Sequence, residues 1–332
     1  MTQQDVKALT WSSDSIVVPR RAKSRQKITF RQDFKRRRLL YFMIIPGVLF
    51  YLIFNYVPMY GLIVAFQDYN PYTGISGMFS GDWVGLLWFE RMFQQAQFLG
   101  ILRNTVLINV YSLVWGFPVP IILAIMINEV RIRWFKMSAQ TLSYLPHFLS
   151  WAIVGGFVIQ LLSTNNGLVN NALMALHITS SPIPFVVEPE WFRSILVSSG
   201  IWKEVGWNSI IYLAAIAGIN PQLYEAAIVD GAGKFRQIWH VTLPGILPTI
   251  SICLILNLGV LMSSSFDQVY VLLTANTQSV GDVFSTFIYR VGIQNGQFSF
   301  TAAIGLFQNV VDCILVVLIN WITKRLTGSG LW

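Results

Sequence analysis

The chain contains six long apolar runs, and this pattern constrains the fold more than any other feature of the sequence. Each run has about the 20 residues that an α-helix needs to cross the hydrocarbon core of a bilayer. A helix satisfies its own backbone hydrogen bonds, which the water-free core requires. The six predicted spans are Leu39–Phe66, Thr105–Ile127, Leu142–Leu162, Ile195–Ile219, Ile246–Tyr270 and Ala303–Ile322.

The scarcity of charge between these runs excludes a soluble fold. Only 11% of the residues are charged and 54% are hydrophobic, against about 25% charged in an ordinary soluble domain. Too few ionisable groups are available to cover a core of that size. We therefore predict an all-α integral membrane protein with a six-helix transmembrane domain at residues 39–325 and a short tail at 326–332.

The net charge of +8 resides in the first 38 residues, which hold eleven basic and three acidic side chains. A basic segment of this kind is compatible with a nucleic-acid-binding arm. Directly before an apolar run it is more typical of a segment retained in the cytoplasm. We therefore expect residues 1–38 to be a cytoplasmic tail, and we expect membrane lipid and no nucleic acid among the partners.

The connections between the spans give the same orientation. Lys and Arg are enriched in cytoplasmic connections. With the tail inside, the cytoplasmic set is Arg131, Arg133, Lys136, Lys234, Arg236, Lys324 and Arg325, and the opposite connections hold only Arg91, Arg103, Arg193 and Arg290. Both termini are therefore expected in the cytoplasm.

The sequence has no pattern of a catalytic or metal site. His147, His177 and His240 are scattered and lack metal-ligand spacing, and Cys253 and Cys313 fall inside apolar runs, where we expect them to act as small apolar fillers. A membrane enzyme, the first rival class, would need a nucleophile with its base, a metal cluster or paired acids. We expect no catalytic residue, no metal and no bound cofactor.

The first outward connection ends in an amphipathic stretch. Leu86, Leu87, Phe89, Met92 and Phe93 can share one side of a helix. The pattern is typical of a helix that rests on the membrane surface.

The fourth connection, "LYEAAIVDGAGKFRQIWHVTLPGI", breaks the apolar pattern with charges and glycines. Asn220 suits a helix N-cap and Pro221 a first helical position. Gly231 and Gly233 allow a reversal into a second short helix over about Lys234–Val241, which we expect to end near Leu243 and Pro244. The small Ala226 and Ala227 allow another backbone to approach closely. The pattern predicts a helix-turn-helix elbow within residues 220–245.

The elbow resembles the signature of the membrane subunits of binding-protein-dependent ABC importers, which reads E-A-A, three residues, G, nine residues, I, one residue, L-P. The matching residues here are Glu225, Ala226, Ala227, Gly231, Leu243 and Pro244, and Val241 replaces the isoleucine. The resemblance implies the type I importer permease fold. It also implies that the elbow is a coupling helix, which docks into a groove of a separate cytoplasmic ATPase subunit.

The resemblance assigns ATPase coupling to three groups of elbow residues. These are Glu225, Ala226, Ala227, Asp230, Gly231, Ala232, Leu243 and Pro244. It further implies an ABC ATPase dimer that binds ATP and Mg, a second six-span permease that is related but not identical, and a periplasmic solute-binding protein. The chain itself would sit in a bacterial inner membrane and work by alternating access.

The short stretch "GAGKF" within the elbow is not a phosphate-binding loop. In the G-x-x-x-x-G-K-[ST] pattern, Ile228 and Phe235 occupy the positions of the first Gly and the Ser or Thr. We therefore expect ATP hydrolysis on another polypeptide.

Further segments resemble the branch of this family that imports oligosaccharides and polysaccharide fragments. They are "FNYVPMYGLIVAFQDYNPYTGI", "WVGLLWFERMF" and "IWKEVGWNSIIYLAAIAGINPQLYEAA". More narrowly, they resemble the larger permease subunit of importers of alginate oligosaccharides. The resemblance implies an oligosaccharide cargo, with an acidic one as the narrower expectation.

Polar and aromatic residues within the spans are candidates for the substrate path. Asn257, Ser264 and Gln268 lie at helical spacing in the fifth span, as do Asn309, Asp312 and Asn320 in the sixth, and Trp207, Tyr212 and Tyr270 add aromatic faces. Hydrogen bonding between helices explains the polar residues equally well.

Lys203 and Glu204 lie inside the fourth span, where an ionisable group is costly unless it is paired or faces water. Lys203 would attract acidic cargo, with Arg103 or Arg290 nearer the outer mouth. A structural pair satisfied by a neighbouring helix is the alternative, and it is slightly favoured. An ion-coupled secondary transporter is the second rival class, which Asp312 and the Lys203–Glu204 pair keep open.

Overall fold

The computed structural model describes residues 30–327, and these are helical apart from loops and one hairpin of two-residue strands. The chain divides into two compact units at Met59 and Tyr60. Of the predicted basic tail at residues 1–38, residues 1–29 lie outside the described residues, and the rest begins the first helix. Of the predicted tail at 326–332, the residues from 328 onwards lie outside them as well.

The described part of the first unit is helical, and it is apolar after Arg38. It comprises α1 (Phe30–Tyr51), a π-helical turn (Leu52–Tyr56) and α2 (Val57–Met59). In the helical stretch Arg37–Phe66, the most apolar window buries none of its residues inside the protein. An exposed apolar surface of this size is stable in contact with lipid. This agrees with the predicted first span at Leu39–Phe66.

The second unit holds the remaining elements. Its α-helices are α3 (Gly77–Ser80), α4 (Leu87–Gln94), α5 (Ala96–Gly116), α6 (Pro118–Glu129), α7 (Arg133–Tyr144), α8 (Trp151–Leu161), α9 (Leu168–Ala175), α10 (Pro189–Ala217), α11 (Pro221–Val229), α12 (Lys234–Gln237), α13 (Leu243–Leu258), α14 (Phe266–Leu272), α15 (Gln278–Gly281), α16 (Phe284–Ile288) and α17 (Phe298–Thr327). The strands are β1 (Gln67–Asp68) and β2 (Asp82–Trp83), which pair antiparallel. Tyr60–Phe66, Pro71–Ser76 and Leu145–Phe148 are 3₁₀-helical, and Ile238–Thr242 and Tyr289–Gln294 are π-helical.

The number of apolar spans differs from the predicted six. Within residues 30–327, four helices are long and apolar enough to cross a membrane, or five if one bent pair counts as a span. The predicted fourth span, Ile195–Ile219, lies in the 29-residue α10 except for its last two residues, and α10 is not among these helices. α10 is long enough, but Lys203 and Glu204 interrupt its apolar character.

The predicted third span, Leu142–Leu162, is wrong as a single straight helix. The helical stretches Arg133–Phe148 and Trp151–Leu161 meet at an angle of 102°. Leu149 and Ser150 have extended backbones, and the Ser150 hydroxyl accepts a hydrogen bond from the Ile153 N–H at the start of α8. A Ser N-cap favours a new helix at this point and ends the old one.

The predicted fifth span, Ile246–Tyr270, is also displaced. The helix runs without interruption from Lys234 to Leu258, so the expected end near Leu243 and Pro244 is wrong. Pro244 lies near the start of α13, where the missing N–H costs little because the preceding residues form a π-helical turn. Residues 259–265 form a turn before α14.

The amphipathic helix α4 is partly a core element, which corrects the expectation of a helix that only rests on the membrane. Leu86, Leu87 and Phe93 are exposed, but Met92 is fully buried against Phe284 and Phe300. This hydrophobic cluster joins α4, α5, α16 and α17.

α10 is the central helix of the second unit and packs on α5, α6 and α13. Ile121, Tyr212 and Ile246 belong to the buried cluster that joins three of these helices. Gly206 of α10 meets the backbone of Ser143 in α7, so a Cβ at this position would overlap the Ser143 carbonyl. Small residues at such crossings are the usual basis of close helix packing in membranes.

Candidate functional site

The elbow consists of α11, a four-residue turn and the start of the helix that continues as the fifth span. Asn220 caps α11, because its side chain accepts a hydrogen bond from the Gln222 N–H at 3.0 Å, and Pro221 occupies the first turn. The predicted cap and first position are thus confirmed.

The turn of the elbow is a Schellman motif. The Ala232 N–H donates to the Ala227 carbonyl at 2.8 Å, and the Gly231 N–H donates to the Ile228 carbonyl at 3.0 Å. Gly231 has a φ of +72°, in the left-handed region that favours glycine. The predicted reversal at Gly231 is confirmed. Gly233 has an ordinary φ of −66° and precedes α12.

Three side-chain contacts fix the two arms of the elbow. The buried Gln237 amide donates to the Ala232 carbonyl at 2.8 Å. The Tyr224 and Thr242 hydroxyls lie 3.0 Å apart, which joins α11 to the second arm. The Lys234 ammonium lies 3.0 Å from the Glu129 carboxylate at the end of α6. The elbow is therefore a stiff unit that is tied to two long helices.

The outer side of the elbow presents apolar side chains next to a carboxylate. Val229 is 86% exposed and Phe235 is 79% exposed. Glu225 is exposed and makes no hydrogen bond or ion pair within residues 30–327. Between the arms lies a notch of about 380 Å³, which is lined by Leu223, Ala226, Ala227, Asp230, Ala232, Arg236, His240 and Val241.

A second candidate site is an open cavity of about 850 Å³ beside α10. Its polar and aromatic lining comprises Asn109, Ser112, Phe117, Trp151, Glu204, Trp207, Asn208, Tyr212, Asn257, Ser263, Ser265 and Gln268. Of the predicted path residues, the structure places Trp207, Tyr212, Asn257 and Gln268 on this wall. Glu204 is the charged member of the described lining.

Lys203 points away from the cavity wall into a polar cluster. Its buried ammonium donates to the His147 carbonyl at 2.8 Å and to Glu204 Oε1 at 2.9 Å. Glu204 Oε2 lies 2.7 Å from Nδ1 of His147, whose ring stacks on Trp207 with 4.3 Å between centroids. This geometry matches the structural pair that was the alternative to a cargo-binding lysine.

The remaining predicted path residues do not belong to the cavity lining. Ser264 accepts a hydrogen bond from the Asn109 amide at 2.8 Å. Tyr270 stacks with Phe266, and Asn309 is exposed. Asp312 is buried against the turn 259–265.

The two predicted outer arginines also differ in their surroundings. Arg103 is exposed. Arg290 forms a bidentate pair with Asp282, so its charge is already compensated.

Several residues of both sites escaped the sequence reasoning. Glu129 and Tyr224 brace the elbow, and His147 and Asn109 hold polar groups beside the cavity. Their partners are distant in sequence, so spacing gives no signal for them. The separation of His147 from Glu204 by 57 positions is an example.

Comparison with known proteins agrees with this architecture. The family model described as "Binding-protein-dependent transport system inner membrane component" matches residues 116–328, which is more than half of the chain. The chain belongs to this family.

Relatives of this permease family match the chain along most of its length. The chain is 44% identical to the polygalacturonan/rhamnogalacturonan transport system permease protein YteP of Bacillus subtilis, with 92% of this chain and 96% of that protein covered. It is 42% identical to protein LplB of the same organism, with 92% and 94% covered.

Solved structures of permeases share the fold. A chain of a bacterial ABC transporter involved in the import of the acidic polysaccharide alginate superimposes with a TM-score of 0.81 at 42% identity, covering 90% of this chain and 99% of that chain. A chain of the bacterial alginate ABC transporter in complex with an alginate pentasaccharide-bound periplasmic protein gives a TM-score of 0.82, also at 42% identity, covering 91% and 99%.

These matches confirm the predicted all-α importer permease fold and the predicted family. The protein is an integral membrane transport subunit. The alternative of an ion-coupled secondary transporter is wrong.

Proposed function

We propose that the chain is the membrane-spanning permease subunit of an ATP-driven importer, and that it carries acidic oligosaccharides into the cytoplasm by alternating access. The observation that carries this proposal is the elbow at residues 220–245. It is exposed, internally rigid and continuous with a long apolar helix.

The elbow suits a part that receives force from another protein. The Schellman turn and the Tyr224–Thr242 contact prevent the two arms from moving independently. A rigid-body movement applied to α11 therefore reaches the fifth span as a tilt, whereas a flexible loop would absorb it. The exposed Val229, Phe235 and Glu225 offer apolar contact and one unpaired carboxylate to a basic group of an ATPase.

The ATPase-coupling residues of this proposal are the six that match the family signature and the two neighbours of Gly231. They are Glu225, Ala226, Ala227, Asp230, Gly231, Ala232, Leu243 and Pro244. Lys and Arg enrichment in the elbow and in both tails favours a cytoplasmic location for all three. The membrane is then the inner membrane of a bacterium, with the outward connections facing the periplasm.

The proposed assembly has three kinds of partner. An ATPase dimer offers two grooves, so a second six-span permease is needed to present a second elbow. ATP and Mg bind to the ATPase and none binds to this chain. A periplasmic solute-binding protein delivers the cargo, as the binding-protein complex of the related alginate transporter suggests.

The cavity beside α10 is the part of the proposed cargo path that this chain contributes. Trp207 and Trp151 provide faces on which sugar rings can stack, and Asn257 and Gln268 provide amides for hydroxyl groups. Glu204 would repel a uronate if it were unpaired. Because Lys203 and His147 hold it, the described wall carries no uncompensated negative charge.

The coupling role is tested by replacing Glu225 with Ala. We expect the assembled complex to remain in the membrane and uptake to fall strongly, because the docking contact loses its charge. Glu90→Ala removes an exposed carboxylate of α4 and is the matched control. Normal ATP-driven uptake by the Glu225 variant would contradict the proposal.

The cargo class is tested with the complete transporter in proteoliposomes. ATPase stimulation and uptake are measured with galacturonate, alginate and neutral gluco-oligosaccharides. We expect stimulation by the acidic sugars. Equal stimulation by neutral and acidic sugars would contradict the acidic cargo and leave the importer assignment intact.

A further inference from the structure

The fifth predicted span contains a turn, residues 259–265, at the wall of the cavity. α13 ends at Leu258, and α14 begins at Phe266. Val260, Leu261, Ser263 and Ser265 of this turn line the cavity. Backbone without helical hydrogen bonds is tolerated at membrane depth only where protein or a water-filled cavity satisfies its polar groups. The turn therefore needs partners from neighbouring helices.

Two side chains of α17 supply these partners. The Met262 N–H donates to Asp312 Oδ1 at 2.8 Å, and Gln308 Nε2 donates to the Met262 carbonyl at 2.9 Å. Both backbone groups of Met262 are thus satisfied by residues one helical turn apart, which lie on the same face of α17. The Ser263 hydroxyl joins the two, since it donates to Asp312 Oδ2 at 3.0 Å and accepts from Gln308 at 3.1 Å.

The turn is held from two further directions. Gly259 approaches α17 so closely that a Cβ would overlap the Val316 side chain. On the opposite side, the Asn109 amide of α5 donates to the Ser264 hydroxyl. The turn therefore has one fixed position between α5 and α17.

The Asp312 carboxyl group has no described role besides this contact. It is 9% exposed and forms no ion pair within residues 30–327. An ionisable residue at membrane depth is expensive and usually functional. Asp312 lies outside the cavity lining, so it acts on the cavity through the turn.

We propose that Gln308 and Asp312 are positioning residues that hold the turn 259–265 in the cavity wall and thereby set the preference among oligosaccharide cargoes of different length. This proposal rests on the oligosaccharide transport proposed above. A longer cargo covers more of the wall and therefore depends more on the placement of Ser263, Ser265 and Gln268.

The test compares uptake of digalacturonate and trigalacturonate by the complete transporter in proteoliposomes, with saturating binding protein. Asp312→Asn replaces one of the two carboxylate oxygens with an NH2 group, so one oxygen is left to accept from the Met262 N–H and the Ser263 hydroxyl. We expect the ratio of trisaccharide to disaccharide uptake to fall about five-fold or more, as for the loss of one buried hydrogen bond. The rate of ATP hydrolysis without cargo should stay unchanged.

Two further variants make the result decisive. Gln308→Met removes the other half of the contact at similar volume and should shift the ratio in the same direction. Cys313→Ala, on an exposed position of the same helix, is the matched control and should leave the ratio unchanged.

Three outcomes separate the hypotheses. An equal fall in uptake of both cargoes would mean that the contact serves general stability, and it would overturn the positioning role. Failure of both the Asp312 and Gln308 variants to assemble would overturn it as well. If the unaltered transporter takes up neither saccharide, the proposed cargo itself is wrong.

Discussion

Gly231 is the residue whose backbone conformation most directly decides the shape of the elbow. No atom lies within 4 Å of a Cβ placed on Gly231, so the constraint is the φ of +72° alone. An L-residue in this region costs about 1–2 kcal/mol.

We predict that Gly231→Ala destabilises the folded elbow by about 1–2 kcal/mol, because an L-residue is strained at this positive φ. Uptake by the assembled transporter should fall, while binding of cargo to the solute-binding protein stays the same. Gly231→Asn should retain more activity, because Asn tolerates the left-handed region. Gly233→Ala, at φ −66°, is the control with ordinary geometry, and a loss as large as that of Gly231→Ala would refute the argument.

Lys203 illustrates how the surroundings of a charge decide its role. Its ammonium group is already satisfied by Glu204 and the His147 carbonyl, and it lies 5.4 Å from the centre of the Trp151 ring. A cation that is satisfied in this way has little attraction left for cargo.

We therefore predict that Lys203→Gln lowers the thermal stability of the complex without changing the relative uptake of acidic and neutral oligosaccharides. The partly exposed Glu204 keeps His147 as a partner, so the loss in stability should be modest. The measurements are a melting curve in detergent and an uptake ratio in proteoliposomes. A changed ratio of acidic to neutral uptake at an unchanged melting temperature would contradict this prediction and would make Lys203 a substrate-path residue again.

At the scale of elements, α10 determines how closely its neighbours pack. Gly206 lets α10 meet the backbone of α7 directly, and the polar cluster of Lys203 and Glu204 lies less than one turn before it. The sharp bend at Leu149 and Ser150 places His147 next to that cluster. The close packing at Gly206 and the Lys203–His147 hydrogen bond therefore both hold α10 against residues 133–148.

We predict that Gly206→Ala destabilises the protein by about 1–3 kcal/mol, the usual cost of overpacking a tight contact. The Cβ would overlap backbone atoms of Ser143, which cannot rotate away. Gly156→Ala in α8 is the matched control, since no atom lies within 4 Å of its added Cβ. A similar fall in melting temperature for both variants would contradict the proposed close packing.

At the scale of the whole molecule, the cavity of about 850 Å³ is open rather than enclosed by the described residues. Under the proposed function, a second permease completes this cavity and presents a second elbow. The described residues hold no cluster of three or more metal-binding side chains, and the sequence lacks a phosphate-binding loop. Under the proposed function, a separate ATPase subunit supplies the energy for transport.

We predict that the purified chain, reconstituted alone, moves no oligosaccharide, and that uptake requires the second permease, the ATPase dimer and ATP. Vesicles that contain the complete transporter with a hydrolysis-deficient ATPase are the control for leakage. ATP-independent uptake by the chain alone would refute the assignment as a half-transporter.

The sequence by itself determined the membrane class, the approximate places of the first, second and sixth predicted spans, and the elbow with its Gly231 reversal. These features follow from local rules: apolar length, helix capping and the one conformation that glycine favours in a Schellman turn. The family signature is also visible in the sequence, because its residues stand at fixed spacing within 20 positions of each other.

Only the tertiary structure decided which polar residues face the cavity. Lys203 faces His147, Asp312 faces the turn at Met262, and Asn257 faces open space, although all three lie in apolar runs of similar appearance. Helical spacing predicts a shared face only while the helix continues, and the fifth span ends at Leu258. Whether a polar side chain bonds to another part of the protein or faces the cavity depends on contacts between residues 50 or more positions apart. Helical spacing relates only residues of the same helix, so it cannot predict these contacts.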